Sequence, residues 1–181
     1  GDGSQSDDGI YVLIKETVDN SIDEFIMGAG DRIEITIEDN VVSVRDYGRG
    51  IPLDYNEAEQ RYNWDLIYCE LYAGGKYDSE GDNYQYSLGL NGLGACATQY
   101  ASEFFDVTSI RDGYEYSVHF EKGENVGGLY KEEKKYRTTG TVIKWRPDLK
   151  VFKEIDIPVE FLSSTLRRQA FVNAGIRFIL D

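Results

Sequence analysis

The sequence predicts an α+β domain in which helices cover one face of a mixed, mainly antiparallel sheet. Three observations carry this expectation. Segments that read as strands outnumber those that read as helices. The strands pair mainly with their sequence neighbours through short polar turns. The opening helix shows a single apolar stripe, so it has one face to bury. A length of 181 residues suits one domain with a real core, taken as 1–181.

From Asp8 to about Met27 the apolar residues Ile14, Val18, Ile22 and Phe25 fall at helical steps of four, four and three. Asp7 or Asp8 is placed to cap the start, and Gly28 with Gly30 to end the helix. Arg32 to Glu38 alternates Ile33, Ile35 and Ile37 with polar residues, as a half-buried strand does. Asp39-Asn40 turns it into a returning strand, Val41 to Asp46. Gly48, Gly50 and Pro52 then break the chain, and Glu57 to Tyr72 reads as a helix. Ala73 to Gly94 holds six of the 19 glycines and reads as a loop that ends at a helix start near Gly92. That helix runs to about Ser102. Phe104–Arg111 and Tyr114–Glu121 form a hairpin about Asp112-Gly113. A further strand pair is expected over Tyr130 to Trp145, turning near Thr139-Gly140. A helix follows from Pro158 to about Val172, then a last strand from Ile176 to Leu180.

The net charge of -14 repels a phosphate backbone, which argues against DNA binding by this domain itself. No apolar run approaches the roughly 20 residues of a membrane helix, and no secretory signal opens the chain. The expected location is cytoplasmic, with Cys69 and Cys96 as reduced thiols.

Four constellations carry chemistry. On the first helix, Glu16, Asp19, Asn20 and Asp23 share an arc of roughly 100° opposite the apolar stripe. An asparagine among acids suits a hard cation, and Glu16, one turn away, is placed to polarise a water. The second is Asp46-Tyr47-Gly48-Arg49-Gly50-Ile51-Pro52, where a strand-end carboxylate can accept a hydrogen bond from an amino group such as that of adenine. The third is Gly89-Leu90-Asn91-Gly92-Leu93-Gly94 before a helix. Glycines there let backbone N–H groups approach an anion. The fourth is Thr139-Gly140-Thr141 entering a strand, with a hydroxyl placed to line a base pocket. Each alone has a bland counterpart: a solvated helix face, turn chemistry, a flexible loop, a tight turn.

In order and spacing the four resemble the GHKL superfamily of gyrase and topoisomerase IV B subunits, Hsp90 chaperones, MutL and sensor histidine kinases. The topoisomerase subunits are the nearer likeness. It is carried by Glu16 through Glu24, Asp46 through Pro52, Ala73-Gly74-Gly75-Lys76-Tyr77-Asp78, Gly89 through Gly94, Thr139-Gly140-Thr141 and Phe171 through Ile176. The resemblance implies the Bergerat two-layer sandwich, ATP and Mg²⁺ as ligands, and hydrolysis coupled to DNA strand passage in a larger enzyme. DNA and an A-type subunit would be met only there.

By position, the resemblance implies Glu16 as general base and Asn20 as the Mg²⁺ ligand, with Asp23 nearby. Asp46 would receive the adenine amino group, with Thr141 beside it. Arg49 would pair with Glu24 under the pocket mouth, and Gly50, Ile51 and Pro52 would line the pocket. Lys76 and the backbone of Leu90, Asn91, Gly92, Leu93 and Gly94 would hold the phosphates, with Tyr84 in the lid. Arg111 would stand at the rim, where aminocoumarin inhibitors of the family bind.

The sequence departs from the family's frequent Ser-Gly-Gly-Leu-His-Gly, reading Ser87-Leu88-Gly89-Leu90-Asn91-Gly92. The variant, with the opening Asp7-Asp8-Gly9-Ile10-Tyr11, looks more like topoisomerase IV than gyrase. A dimerising arm and a transducer domain, both family features, are expected outside 1–181, so this stretch is expected to be monomeric and at most weakly active. The alternatives are another GHKL member and an acidic interaction domain that binds no nucleotide.

Overall fold

A computed structural model of the chain describes residues 4–70, 95–135, 138–152, 159–172 and 177–180. Helix α1 (Ser4–Ile26) is followed by strands β1 (Arg32–Glu38) and β2 (Val41–Asp46), then by the short β3 (Tyr55–Asn56) and β4 (Arg61–Tyr62). Helix α2 (Asn63–Tyr68) comes next, then helix α3 over residues 95–100. Strands β5 (Ser102–Arg111), β6 (Tyr114–Glu121), β7 (Glu124–Glu133) and β8 (Gly140–Pro147) lead to helix α4 (Val159–Val172) and strand β9 (Arg177–Leu180).

Seven strands make one sheet in the order β7-β6-β5-β8-β2-β1-β9, antiparallel except where β9 runs parallel to β1. Alternate residues of each central strand face inward. Registers set these in rows: Phe105 opposite Trp145, Val107 opposite Ile143, Ser109 opposite Thr141. On the other side of β8, Trp145 faces Val42 and Ile143 faces Val44. Ile10, Ile14, Val18 and Ile22 of α1, Ile67 and Tyr68 of α2, and Leu162 and Leu166 of α4 join this inner face in one buried cluster. The helices therefore cover one face, as expected. The outer face carries partly exposed polar residues such as Thr36, Ser43, Asp106 and His119.

Three tight turns follow turn chemistry. Asp39-Asn40, Asp112-Gly113 and Lys122-Gly123 all have positive φ at both residues, as hairpin turns that match strand twist require. The third was missed because Lys122 carries no turn signal. As a result β7 begins at Glu124, and the expected Tyr130–Trp145 pair does not form. β7 pairs with β6, while β8 fills the gap between β5 and β2.

The expected helix over Glu57–Tyr72 is also corrected. A two-strand hairpin occupies its first third, and α2 spans only Asn63–Tyr68 within the described residues. The Asn56 side chain accepts from the Glu59 amide and donates to Asn63 Oδ1, and Gln60 takes a left-handed φ of 55°. These local side-chain bonds outcompete helix formation. At the chain start, α1 begins at Ser4 rather than near Asp8.

Trp145 is fully buried at the centre of the sheet. Trp145→Ala is expected to lose about 3–5 kcal/mol of stability, the range for removing a large core ring, read from urea denaturation.

Candidate nucleotide-binding site

Three elements converge at the open end of β2. On α1, Thr17, Ser21 and Glu24 are buried and recur at helical spacing between the apolar stripe and the acidic one. Ser21 and Glu24 reach the turn after β2, while the Thr17 hydroxyl donates to Leu13 O of its own helix. Asp46, the last residue of β2, is 7% exposed and accepts three hydrogen bonds. Gly48 N donates to Oδ1 at 3.0 Å, Thr141 N to the same oxygen at 3.2 Å, and Ser21 Oγ to Oδ2 at 3.1 Å. Burial is the largest influence on this carboxyl and pushes its pKa up to about 6, against the opposing pull of those donors. An ionised carboxylate offers about four acceptor positions. Three are used, and one on Oδ2 remains for a ligand.

The turn itself is fixed by a fork. Arg49 Nη2 lies 2.9 Å from Glu24 Oε1 and Nε 3.2 Å from Oε2, while the Arg49 amide donates to Oε2 at 3.0 Å. The expected Glu24–Arg49 pair is thus present, and it is bidentate and half-buried. Gly48 stands against it so closely that a Cβ would come within 2.7 Å of Glu24 Oε2.

β8 closes the other side. Thr141 Oγ1 accepts from Ile51 N at 2.9 Å, Ser109 Oγ donates to Ile51 O at 2.6 Å, and Thr139 Oγ1 donates to Gly48 O at 2.5 Å. Arg111 Nη1 donates to Gly50 O at 2.9 Å, so the expected rim arginine also holds the turn's backbone. Gly50 has φ +84°, and a Cβ there would meet Ile110 O at 2.6 Å. Gly140, at φ +152°, lies flat on the Asp46 carbonyl, and a Cβ would collide with that backbone oxygen. Ile51 is buried and Pro52 half-buried.

The acidic stripe of α1 is not a solvated face. Glu16, Asp19, Asn20 and Asp23 are all half-buried. Burial, then the Asp19 charge, raises the Glu16 pKa, which makes its carboxylate more basic. Lys15 pairs with Asp19 at 3.0 Å. Among the described residues no group of three His, Cys, Asp or Glu side chains could hold a metal ion by itself. The oxygen donors of Asn20 and its acidic neighbours suit a hard cation that takes its remaining ligands from phosphate and water.

The structure joins Glu24, Asp46, Arg49, Gly50, Ile51, Arg111 and Thr141 through one set of hydrogen bonds around the turn after β2, with Pro52 next in the chain, while Glu16, Asn20 and Asp23 lie half-buried on α1. Lys76, Tyr84, Leu90, Asn91, Gly92, Leu93 and Gly94 lie outside the described residues. Ser21 and Ser109 were missed. The 17, 21, 24 spacing of polar residues on a core-facing helix line could have found the first, and the β5–β8 register the second. Cys69 and Cys96 are free thiols. No described helix is long and apolar enough to cross a membrane.

The fold superposes on the 43K ATPase domain of Thermus thermophilus gyrase B, solved in complex with an aminocoumarin, with a TM-score of 0.79 and 27% identity. The match covers 95% of this chain and 43% of that one. The chain belongs to the family described as histidine kinase-, DNA gyrase B-, and HSP90-like ATPase, which matches residues 5–150. Among relatives, the DNA topoisomerase 4 B subunit of Borreliella burgdorferi is 41% identical over 177 residues, and the DNA gyrase B subunit of Mycoplasma genitalium 37% over 177. Each match covers 97% of this chain and 27% of the relative, so the chain spans about a quarter of their length.

Gly140 tests how tightly β8 and the Asp46 turn are locked. Gly140→Ala should lose more stability than Gly127→Ala. Both positions have positive φ, but only the first has a backbone atom in the way, and nothing lies within 4 Å of a Cβ at Gly127. Gly127→Ala should lose only about 1–2 kcal/mol, the left-handed penalty. Equal losses in chemical denaturation would show that the turn gives way.

Proposed function

We propose that the chain is the ATP-binding domain of a bacterial type IIA topoisomerase B subunit, working in the cytoplasm, whose Mg²⁺-dependent ATP hydrolysis drives DNA strand passage in the whole enzyme. The observation that carries this reading is the Asp46 carboxylate. It is buried, fixed by three donors, and has one acceptor position left, which matches the exocyclic amino group of adenine. Guanine would present a carbonyl oxygen there, acceptor against acceptor. In this reading 1–181 is one domain, and DNA and the A-type subunit are met only by the complete assembly. The topoisomerase IV assignment over gyrase rests on the Asp7–Tyr11 opening and the Leu90-Asn91-Gly92 variant.

Glu16, whose carboxyl is raised toward neutrality by burial, is the general base, and Asn20 supplies an oxygen to Mg²⁺. The ion, when bound, neutralises charge on the phosphates. Glu24 and Arg49 hold the turn that forms the pocket wall. Arg111 stands at the rim, where the family's aminocoumarins bind. Lys76, Tyr84 and the segment Leu90 to Gly94 are assigned to phosphate and lid contacts.

Asp46→Asn should weaken ATP binding by about 1.5–3 kcal/mol, the range for a hydrogen bond to a charged group. The pH dependence has a definite sign. In the free protein the Asp46 carboxyl holds its proton up to about pH 6. An adenine amino donor favours the ionised form, so binding near pH 6 releases a proton, and affinity falls as pH drops through that value. Calorimetry of parent and Asp46→Asn in buffers of different ionisation enthalpy isolates this effect, because the phosphate titration is common to both. Equal affinity and equal proton release would remove Asp46 from the site.

Glu16→Gln in the full-length protein should keep nucleotide affinity and lose turnover. Asn20→Ala should lose the Mg²⁺ dependence of triphosphate binding. Normal hydrolysis by the first, or parental Mg-ATP binding by the second, would reverse these roles.

A further inference from the structure

The residue between Asp46 and Gly48 is gripped on the face of the sheet opposite the core. Alternation along β2 turns Asp46 inward and Arg45 outward, and Tyr47 continues outward past the strand end. Two guanidinium groups stand over its half-buried ring: Arg32 Cζ is 3.8 Å from the ring centroid and Arg45 Cζ 4.7 Å. Both lie well inside the roughly 6 Å within which a cation is attracted to an aromatic face. The phenol donates to Glu34 Oε1, and Glu34 stands opposite Arg45 in the β1–β2 register. Asp31 and Glu34 lie 3.6 and 3.7 Å from the Arg32 guanidinium, which offsets the repulsion between two cations on one ring.

The backbone of the same residue is crowded from both flanks of β2. Gly30, ahead of β1, lies so close that a Cβ would come within 3.0 Å of the Tyr47 carbonyl carbon and 3.2 Å of Gly48 N. Gly140, at the start of β8, would bring a Cβ within 3.2 Å of Tyr47 Cα. β2 runs between β1 and β8, so these contacts stop the chain from moving sideways. They do not stop a peptide unit from turning about its own axis, because a glycine offers no side chain to hold it. Tyr47 is the middle residue of the turn that brings Gly48 N to Asp46 Oδ1 at 3.0 Å. Its φ and ψ decide whether that donor reaches the carboxylate. Side-chain rotamer and backbone angles are coupled, so a ring held in one place narrows those angles.

We propose that Tyr47 is a positioning residue for base recognition: its ring, held by Arg32 and Arg45 on the outer face of the sheet, sets the Asp46–Gly48 turn and so aims the carboxylate on the inner face. This rests on the adenine-pocket reading above. Tyr47 acts through Asp46 and does not itself touch the base. A cross-strand cluster of an aromatic ring and charged side chains commonly serves sheet packing alone. This ring differs in belonging to the residue inside the turn that supplies one of the three donors to Asp46.

Two substitutions separate the ring from its bulk. Tyr47→Phe keeps the aromatic face and its cations, while Tyr47→Leu keeps an apolar side chain and loses that face. By calorimetry, ATP affinity should stay within about twofold of the parent in the first and fall about three- to tenfold in the second, roughly the worth of one to two cation–π contacts. In an Asp46→Asn background the Tyr47→Leu loss should shrink to less than about twofold. Equal losses in the two backgrounds mark a merely structural role and overturn the proposal. So does parental affinity in Tyr47→Leu, or an equal loss in Tyr47→Phe. If Tyr47→Leu does not fold, Arg45→Met takes its place, removing one cation and leaving Tyr47 itself: a loss of about two- to fivefold supports the proposal, and parental affinity overturns it. A parent that binds no ATP would instead sink the nucleotide reading. The titration of the Asp46 carboxyl carbon by NMR, without ligand, then decides. Loss of the Gly48 donor raises its midpoint, so an upward shift in Tyr47→Leu that is absent in Tyr47→Phe supports the role in setting the turn, and equal midpoints overturn it. Glu24 and Tyr68, the other titratable groups that bear on Asp46, are the same in every variant.

Discussion

The constraint on which the rest of the site depends is the burial of one carboxylate. With its pKa near 6, Asp46 is more easily protonated in the folded protein than in the unfolded chain. Its contribution to stability is therefore full in acid and lost as pH rises through that value. Keeping it ionised at neutral pH costs roughly 3 kcal/mol, since each pH unit between an ordinary aspartate and this one is worth about 1.4 kcal/mol. The surrounding structure limits that cost with donors from three elements: Ser21 on α1, the Gly48 amide in the turn, and the Thr141 amide on β8. A buried carboxylate with an acceptor position still open is what the proposed recognition of an amino donor requires.

Backbone contact supplies the rigidity. Gly48 lies against the Glu24 carboxylate, Gly140 against the Asp46 carbonyl, and Gly50 against the Ile110 carbonyl, so the turn is clamped between the Glu24 side chain of α1 and the backbone of the strands. The fork of Arg49 on Glu24 and the hydroxyls of Thr139, Thr141 and Ser109 then fix the turn's remaining backbone groups. Small residues and short polar side chains here are a condition of close approach, and the same closeness keeps the Asp46 carboxylate from rotating.

Much of this was legible in the sequence, and the reason differs by element. The α1 stripes, the β1–β2 and β5–β6 hairpins and α4 follow from periodicity and turn residues alone. The β6–β7 turn was not legible because Lys122 takes a left-handed conformation that its residue type does not announce. The place of β8 was hidden because pairing two strands from distant parts of the chain is decided by the core, not by local propensity. Asp46, Glu24, Arg49 and Thr141 came from their order along the chain. Ser21 and Ser109 needed the fold, since each matters only for what lies across from it.

One feature of the topology bears on how the molecule is made. The flank of β1 is completed by β9, whose pairing Arg32–Arg177 joins positions 145 residues apart. At a synthesis rate of about 5–20 residues per second, a ribosome needs roughly 7–30 s to pass from one partner to the other. Throughout that interval the growing chain carries the isoleucine-rich β1 with a free hydrogen-bonding edge. Within β1, Arg32 and Glu34 alternate with Ile33 and Ile35, and charges so placed disfavour edge-to-edge association of such a strand.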